Sequence, residues 1–109
     1  MSTISTHVID TSLGKPAAGV RVTLRRDDSL IGSGVTDDDG RVRDLLEQGS
    51  SLASGDYTLS FSVADYFAGS KRDTFYGDIQ INFRIASESE HYHVPLLLSP
   101  FGYSTYRGS

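Results

Sequence analysis

Tyr57-Thr-Leu-Ser-Phe-Ser-Val63 alternates apolar with polar residues without a break. Successive side chains on a β-strand point to opposite faces, which puts Tyr57, Leu59, Phe61 and Val63 on one face and Thr58, Ser60 and Ser62 on the other. The stretch reads as a strand with one buried face. Working outward, the pattern returns with Ile79, Ile81, Phe83 and Ile85 against Gln80, Asn82 and Arg84, and with Val20, Val22 and Leu24 against Arg21, Thr23 and Arg25. His91-Tyr-His-Val-Pro-Leu-Leu-Leu98 places Tyr92, Val94, Leu96 and Leu98 on one side. Pro95 in that run has no N–H for a ladder, so it needs an edge position or a gap in the pairing.

Turn signals separate the runs. Gly14-Lys-Pro-Ala-Ala-Gly19 breaks the chain before the strand at Val20, Asp37-Asp-Asp-Gly40 is a turn by composition, and Ser50 to Gly55 reads as a polar loop. Only Ala64 to Arg72 looks briefly helical, with Asp65 as its expected N-cap. Neither a repeat nor a linker is visible, so residues 1–109 read as a single domain. About seven to eight short strands at this spacing imply an all-β fold, a sandwich of two antiparallel sheets carrying one short helix.

Composition narrows the function classes. At 109 residues the chain can build one core, and 38% hydrophobic against 22% charged residues is ordinary for a globular domain. A formal net charge of −4 gives no electrostatic reason to expect nucleic acid as a partner. With no cysteine, disulfides, thiolate metal sites and cysteine nucleophiles are excluded. No apolar run approaches the roughly 20 residues of a membrane span. The opening Met1-Ser-Thr-Ile-Ser-Thr-His7 lacks the pattern of a secretory leader, and the ending is no Ser-Lys-Leu address, so the cytoplasm is expected.

The chemistry-bearing residues are few. His91 and His93, two apart on a strand, point to the same face, opposite Tyr92, Val94 and Leu96. That face must meet solvent or another subunit. Such a pair is either an ordinary half-exposed strand face or, with His7 as a third ligand, a weak metal candidate without a carboxylate to complete it. The aspartates of Asp37-Asp-Asp-Gly40 lack the regular ligand spacing and closing Glu of a calcium loop, so solvated turn residues are the better reading. Arg41 follows that turn and presents a planar fork suited to imide or ureide oxygens. Serine-hydrolase elbows, phosphate loops and zinc-protease helices have no counterpart in the sequence.

Three segments together resemble one family, the transthyretin-like 5-hydroxyisourate hydrolases. They are Thr6-His-Val-Ile-Asp-Thr11 with Gly14-Lys-Pro-Ala17, Thr36-Asp-Asp-Asp-Gly-Arg41, and His91-Tyr-His-Val-Pro-Leu-Leu-Leu-Ser-Pro-Phe-Gly-Tyr103 ending in Tyr106-Arg-Gly-Ser109. The closing Tyr-Arg-Gly-Ser is the signature that separates these hydrolases from transthyretin, the hormone carrier of the same fold. Asp65-Tyr-Phe67 sits where the family has its short helix. Asp37 stands where Asn is common, and Phe75-Tyr-Gly77 replaces a stretch that often carries Pro. Both departures concern loops and leave the matched catalytic positions untouched.

The resemblance implies a homotetramer with clefts at a dimer–dimer interface. It implies catalytic roles for His7, Arg41, His93 and Ser109, and substrate contacts from Tyr106, Arg107 and Gly108, with neither metal nor cofactor. The implied reaction is hydrolysis of the N1–C6 cyclic amide of 5-hydroxyisourate, giving 2-oxo-4-hydroxy-4-carboxy-5-ureidoimidazoline in urate catabolism. A transthyretin-like carrier of small ligands without turnover is the alternative.

Overall fold

The computed structural model describes residues 3–46 and 52–109. Met1 and Ser2 of the opening stretch, and Ser50 and Ser51 of the expected polar loop, lie outside the described residues. Among those described, the elements run β1 (Thr3–Asp10), β2 (Lys15–Pro16), β3 (Arg21–Arg26), β4 (Ser29–Val35), β5 (Arg41–Val42), β6 (Gly55–Phe61), α1 (Val63–Gly69), β7 (Ile79–Ile85), β8 (His91–Ser99) and β9 (Gly102–Thr105). One sheet has the order β2-β1-β8-β9, with β5 also on β1, and the other has the order β4-β3-β6-β7. This is the transthyretin-like sandwich, all-β with one short helix.

The alternating runs supply the core between the sheets. Val20, Val22, Leu24, Leu59, Phe61, Ile85, Leu96 and Leu98 are fully buried, and Tyr57 and Ile79 nearly so. Full burial of a side chain such as Phe61 or Leu96 contributes about 1.5–3 kcal/mol, so these faces fix which side of each strand turns inward.

Three details differ from the sequence reading. Val63 does not continue the strand; it opens α1, whose N-cap position is Ser62, and Asp65 lies in the first turn. Val63 is fully buried all the same, because the first turn of the helix packs onto the core. The sheets are not wholly antiparallel, since β1 and β8 run parallel from Thr3 beside His91 to Asp10 beside Leu98. A parallel pair needs a long crossover, and everything from β2 to β7 serves as one. Two strands, β2 and β5, are only two residues long and follow one another along the same edge of β1, β5 beside Thr6 and His7 and β2 beside Ile9 and Asp10.

Pro95 finds its gap. His93 and Pro95 aim their backbone groups at β9, where the ladder begins at Leu96 beside Thr105 and the next bridge is His93 with Gly108. The missing N–H falls between them, and the Pro95 carbonyl accepts from Thr105 Oγ1 at 2.7 Å. No described helix is long and apolar enough to cross a membrane.

Candidate active site

The polar face of the first sheet carries the histidines. Parallel register between β1 and β8 sets Thr3 beside His91, Ser5 beside His93 and His7 beside Pro95. On the other edge of β1, β5 sets Arg41 beside His7. All of these lie two residues apart along their strands, so they share the face turned away from the core.

Arg41 is held there by its turn. Asp37 Oδ1 accepts from the N–H groups of Asp39 and Arg41 at 2.9 and 3.0 Å, and Gly40 N–H donates to Asp37 O. The Arg41 bond chiefly, outweighing slight burial, holds the Asp37 carboxyl below the usual carboxylate range. Gly40 has φ +75°, and a Cβ there would stand 2.4 Å from Val8 O, so the turn closes onto β1 only with glycine. Val8 N–H donates to Gly40 O at 2.7 Å and completes the clamp.

The result is a cleft of about 280 Å³ whose lining includes Ser5, Arg41, Arg43, His91, His93 and Ser109. Among the described residues no acidic side chain lines it. Ser5 Oγ is 2.7 Å from His93 Nδ1 and 3.1 Å from His91 Nε2. Thr3 Oγ1 hydrogen-bonds His91 Nδ1. The two imidazoles stack, with centroids 6.4 Å apart and planes inclined by 14°. His93 Nε2 has no hydrogen-bond partner among the described residues and is the nitrogen left for a ligand.

Burial pushes the His93 imidazole below its ordinary value, and electrostatic interaction with Arg41, His91 and His7 pushes the same way against a smaller contribution from Ser5. His93 is therefore neutral at neutral pH. A neutral imidazole with one free nitrogen, facing guanidinium groups in the cleft, can accept a proton from water as it attacks an electron-poor carbonyl carbon.

The tail closes this cleft. Gly108 N–H donates to His93 O at 2.8 Å, and a Cβ at Gly108 would stand 2.5 Å from His93 Cδ2. Only glycine allows the backbone so near the ring, and this brings Ser109 to the cleft.

Not every expected residue converges. His7 stands beside Arg41 outside the lining of the cleft, though near enough to act electrostatically on His93. Tyr106 and Arg107 instead line a second cavity of about 270 Å³ between β7 and the inner side of β8, with Ile81, Phe83, Tyr92 and Val94. There the Arg107 guanidinium lies 4.8 Å from the Tyr92 ring centroid and 3.8 Å from Glu90. The sequence reading did not single out Thr3 and Ser5. Their signal was the spacing Thr3, Ser5, His7, which places two hydroxyls on the face of a histidine. Among the described residues no group of three or more His, Cys, Asp or Glu side chains converges on a metal position.

Residues 4–108 match the model of the HIUase/Transthyretin family. The chain belongs to the HIUase/Transthyretin family. Within this family, a 5-hydroxyisourate hydrolase 2 of Rhizobium meliloti (strain 1021) is 47% identical over 114 residues, covering 97% of this chain and 95% of its own. The structure of Klebsiella pneumoniae 5-hydroxyisourate hydrolase superposes with a TM-score of 0.90 at 39% identity, covering 100% of this chain and 94% of the other. Sea bream transthyretin in complex with thyroxine superposes at 0.87 with 27% identity, covering 97% and 94%. This HIUase/Transthyretin chain thus shares its fold with a 5-hydroxyisourate hydrolase and with a thyroxine-bound transthyretin.

Proposed function

We propose that this protein is an enzyme, a cyclic amide hydrolase that opens 5-hydroxyisourate at its N1–C6 bond to give 2-oxo-4-hydroxy-4-carboxy-5-ureidoimidazoline. The observation that carries the reading is the neutral His93 in a cleft with Arg41, together with the likeness to proteins named 5-hydroxyisourate hydrolase at 47% and 39% identity. His93 Nε2 takes a proton from water as it attacks the carbonyl carbon. Arg41 binds the substrate oxygens and stabilises the negative charge that develops on them. His7 orients the reacting groups or returns a proton to the leaving nitrogen, and Ser109 positions water or substrate by hydrogen bonds. Substrate-contact roles for Tyr106 and Arg107 require the second cavity to communicate with the cleft in the assembled protein, whereas Gly108 acts by its close approach to His93.

The reading includes a cytoplasmic homotetramer. Its support is the half-buried polar outer face of the first sheet and the strongly exposed Phe75 and Phe101, apolar surface of a kind that subunit contacts cover. A carrier role is disfavoured by the cleft's lining, in which two guanidiniums and two imidazoles meet where a hydrophobic ligand would need apolar walls.

The test is the ultraviolet decay of 5-hydroxyisourate, generated from urate by urate oxidase, with and without the protein. Acceleration by the wild type and a loss of about 10²–10³-fold in kcat for Arg41→Ala are expected. No acceleration by well-folded protein would sink the hydrolase and send attention to ligand binding. Gly108→Ala tests the tail separately. Its Cβ would force the His93 ring or the tail aside, and since about 1 Å of misplacement can cost about 10²-fold, kcat is expected to fall by about tenfold or more with little change in Tm. Unchanged kcat in that variant would remove the tail from the account.

A further inference from the structure

We propose that Ser5 and His91 are positioning residues that set which nitrogen of His93 carries its proton, through a hydrogen-bonded chain running Thr3, His91, Ser5, His93. The proposal rests on the reading of His93 as the base that activates water.

The argument is a count of protons. Ser5 Oγ lies within hydrogen-bond distance of two ring nitrogens, His93 Nδ1 at 2.7 Å and His91 Nε2 at 3.1 Å. A hydroxyl has one proton, so with both rings neutral it donates to one nitrogen and accepts from the other. Two polarities satisfy the chain. In the first, His93 Nδ1–H donates to Ser5 Oγ, Ser5 O–H donates to His91 Nε2, and His91 Nδ1–H donates to Thr3 Oγ1. His93 Nε2 is then a bare lone pair. In the second, every bond reverses, Ser5 O–H donates to His93 Nδ1, and Nε2 carries the proton.

Only the first polarity leaves a base. It is also the polarity that the surroundings favour. Arg41 and Arg43 line the same cleft, and their positive charge attracts a lone pair at Nε2 and repels an N–H dipole there. At the far end, Thr3 is only half-buried, so its hydroxyl can accept from His91 and donate to solvent. His91 thereby acts on the reaction through Ser5. The ring stacking of His91 on His93 holds both planes in the orientation the chain needs. The hydrogen bond at one imidazole nitrogen decides the role of the other, and here the decision is passed along four side chains.

The experiment uses the full chain with ¹⁵N-labelled histidine, reading the imidazole nitrogen shifts of His93 alongside steady-state hydrolysis of 5-hydroxyisourate. The wild type is expected to hold the proton on Nδ1. Ser5→Ala removes the acceptor, so the proton should move largely to Nε2 and kcat should fall by about tenfold or more, within the about 10²–10⁴-fold that a general base supplies, with KM changed far less. Ser5→Thr keeps the hydroxyl and should restore both readouts. His91→Phe keeps a stacked ring without its nitrogens and should shift the proton as Ser5→Ala does.

A His93 proton on Nε2 in the wild type would overturn the proposal, as would a tautomer and kcat unmoved by Ser5→Ala. Should the tautomer follow Ser5 while the wild type fails to hydrolyse 5-hydroxyisourate, the chain stands and the hydrolase reading falls. Activity without any tautomer response has the opposite meaning.

Discussion

His93→Ala is expected to lower kcat for 5-hydroxyisourate by about 10²–10⁴-fold, the range a positioned general base contributes. The fold should survive, because the ring lies on the outer face of the first sheet and its removal leaves no hole in the core. The backbone bond from Gly108 to His93 O does not depend on the side chain. The pH profile carries the same claim. Burial and the neighbouring positive charges hold the imidazole below its ordinary 6.5, and the neutral form is the active one. Activity is therefore lost as pH falls through that lowered value, and the plateau should extend below about pH 6.5, where a free imidazole is already half protonated. The measurement is kcat/KM from pH 4.5 to 8 for the wild type and kcat at pH 7 for the variant. A variant within about threefold of wild type, or a profile that declines above pH 7, would remove His93 from the role of base.

Much of this arrangement is legible in the sequence, and what is not has physical causes. Alternation located the faces of β3, β6, β7 and β8 because a half-buried strand enforces period two residue by residue. The same rule overran at Val63, whose burial comes from a helical turn that falls in phase with the strand before it. Alternation carries no direction, so the parallel pairing of β1 with β8 was invisible, and a two-residue strand such as β2 or β5 has no period at all. Within the candidate site, the residues by themselves offered His91 and His93 on one face, His7 as a weak third metal ligand and Arg41 as a fork for imide or ureide oxygens; Ser109 and the catalytic roles of His7 and Arg41 came through the family resemblance. Tyr106-Arg-Gly-Ser109 reads as one motif, yet it divides between two sides of the sheet: Arg107 against Tyr92, and Gly108 against His93. Ser5 was missed because a serine on a strand is unremarkable until its register with His93 is known.

Asp10→Ala is expected to cost about 3 kcal/mol of stability, the lower end of the range for breaking a buried ion pair. Asp10 is fully buried at the end of β1. Its Oδ2 accepts from Arg72 Nη2 and Tyr66 Oη, each at 2.7 Å. Oδ1 accepts from Ser12 Oγ at 2.6 Å and from the N–H groups of Ser12 and Leu13 at 3.1 and 3.2 Å. One carboxylate thus ties the end of β1 to its turn, to α1 and to Arg72 a few residues beyond the helix. Truncation strands Tyr66 and Arg72, although Arg72, 23% exposed, regains some water. For a chain of this size about 3 kcal/mol corresponds to a fall in Tm of roughly 12 °C or more. Asp10→Asn keeps an oxygen for Ser12 and Leu13 and should cost clearly less. Burial pushes the Asp10 carboxyl up, but its hydrogen bonds, that of Arg72 foremost, outweigh burial and hold it far below the usual range. The unfolded chain therefore binds this proton first as pH falls. The contribution is complete above the unfolded value of about 3.9 and disappears as pH drops from there toward the folded one. Urea unfolding at pH 7 and at pH 3 should accordingly show the gap between wild type and Asp10→Asn narrowing at the lower pH. A gap that stays constant, or an Asp10→Ala cost under about 1 kcal/mol, would mean that the core between the sheets, and not this carboxylate, holds the helix onto β1.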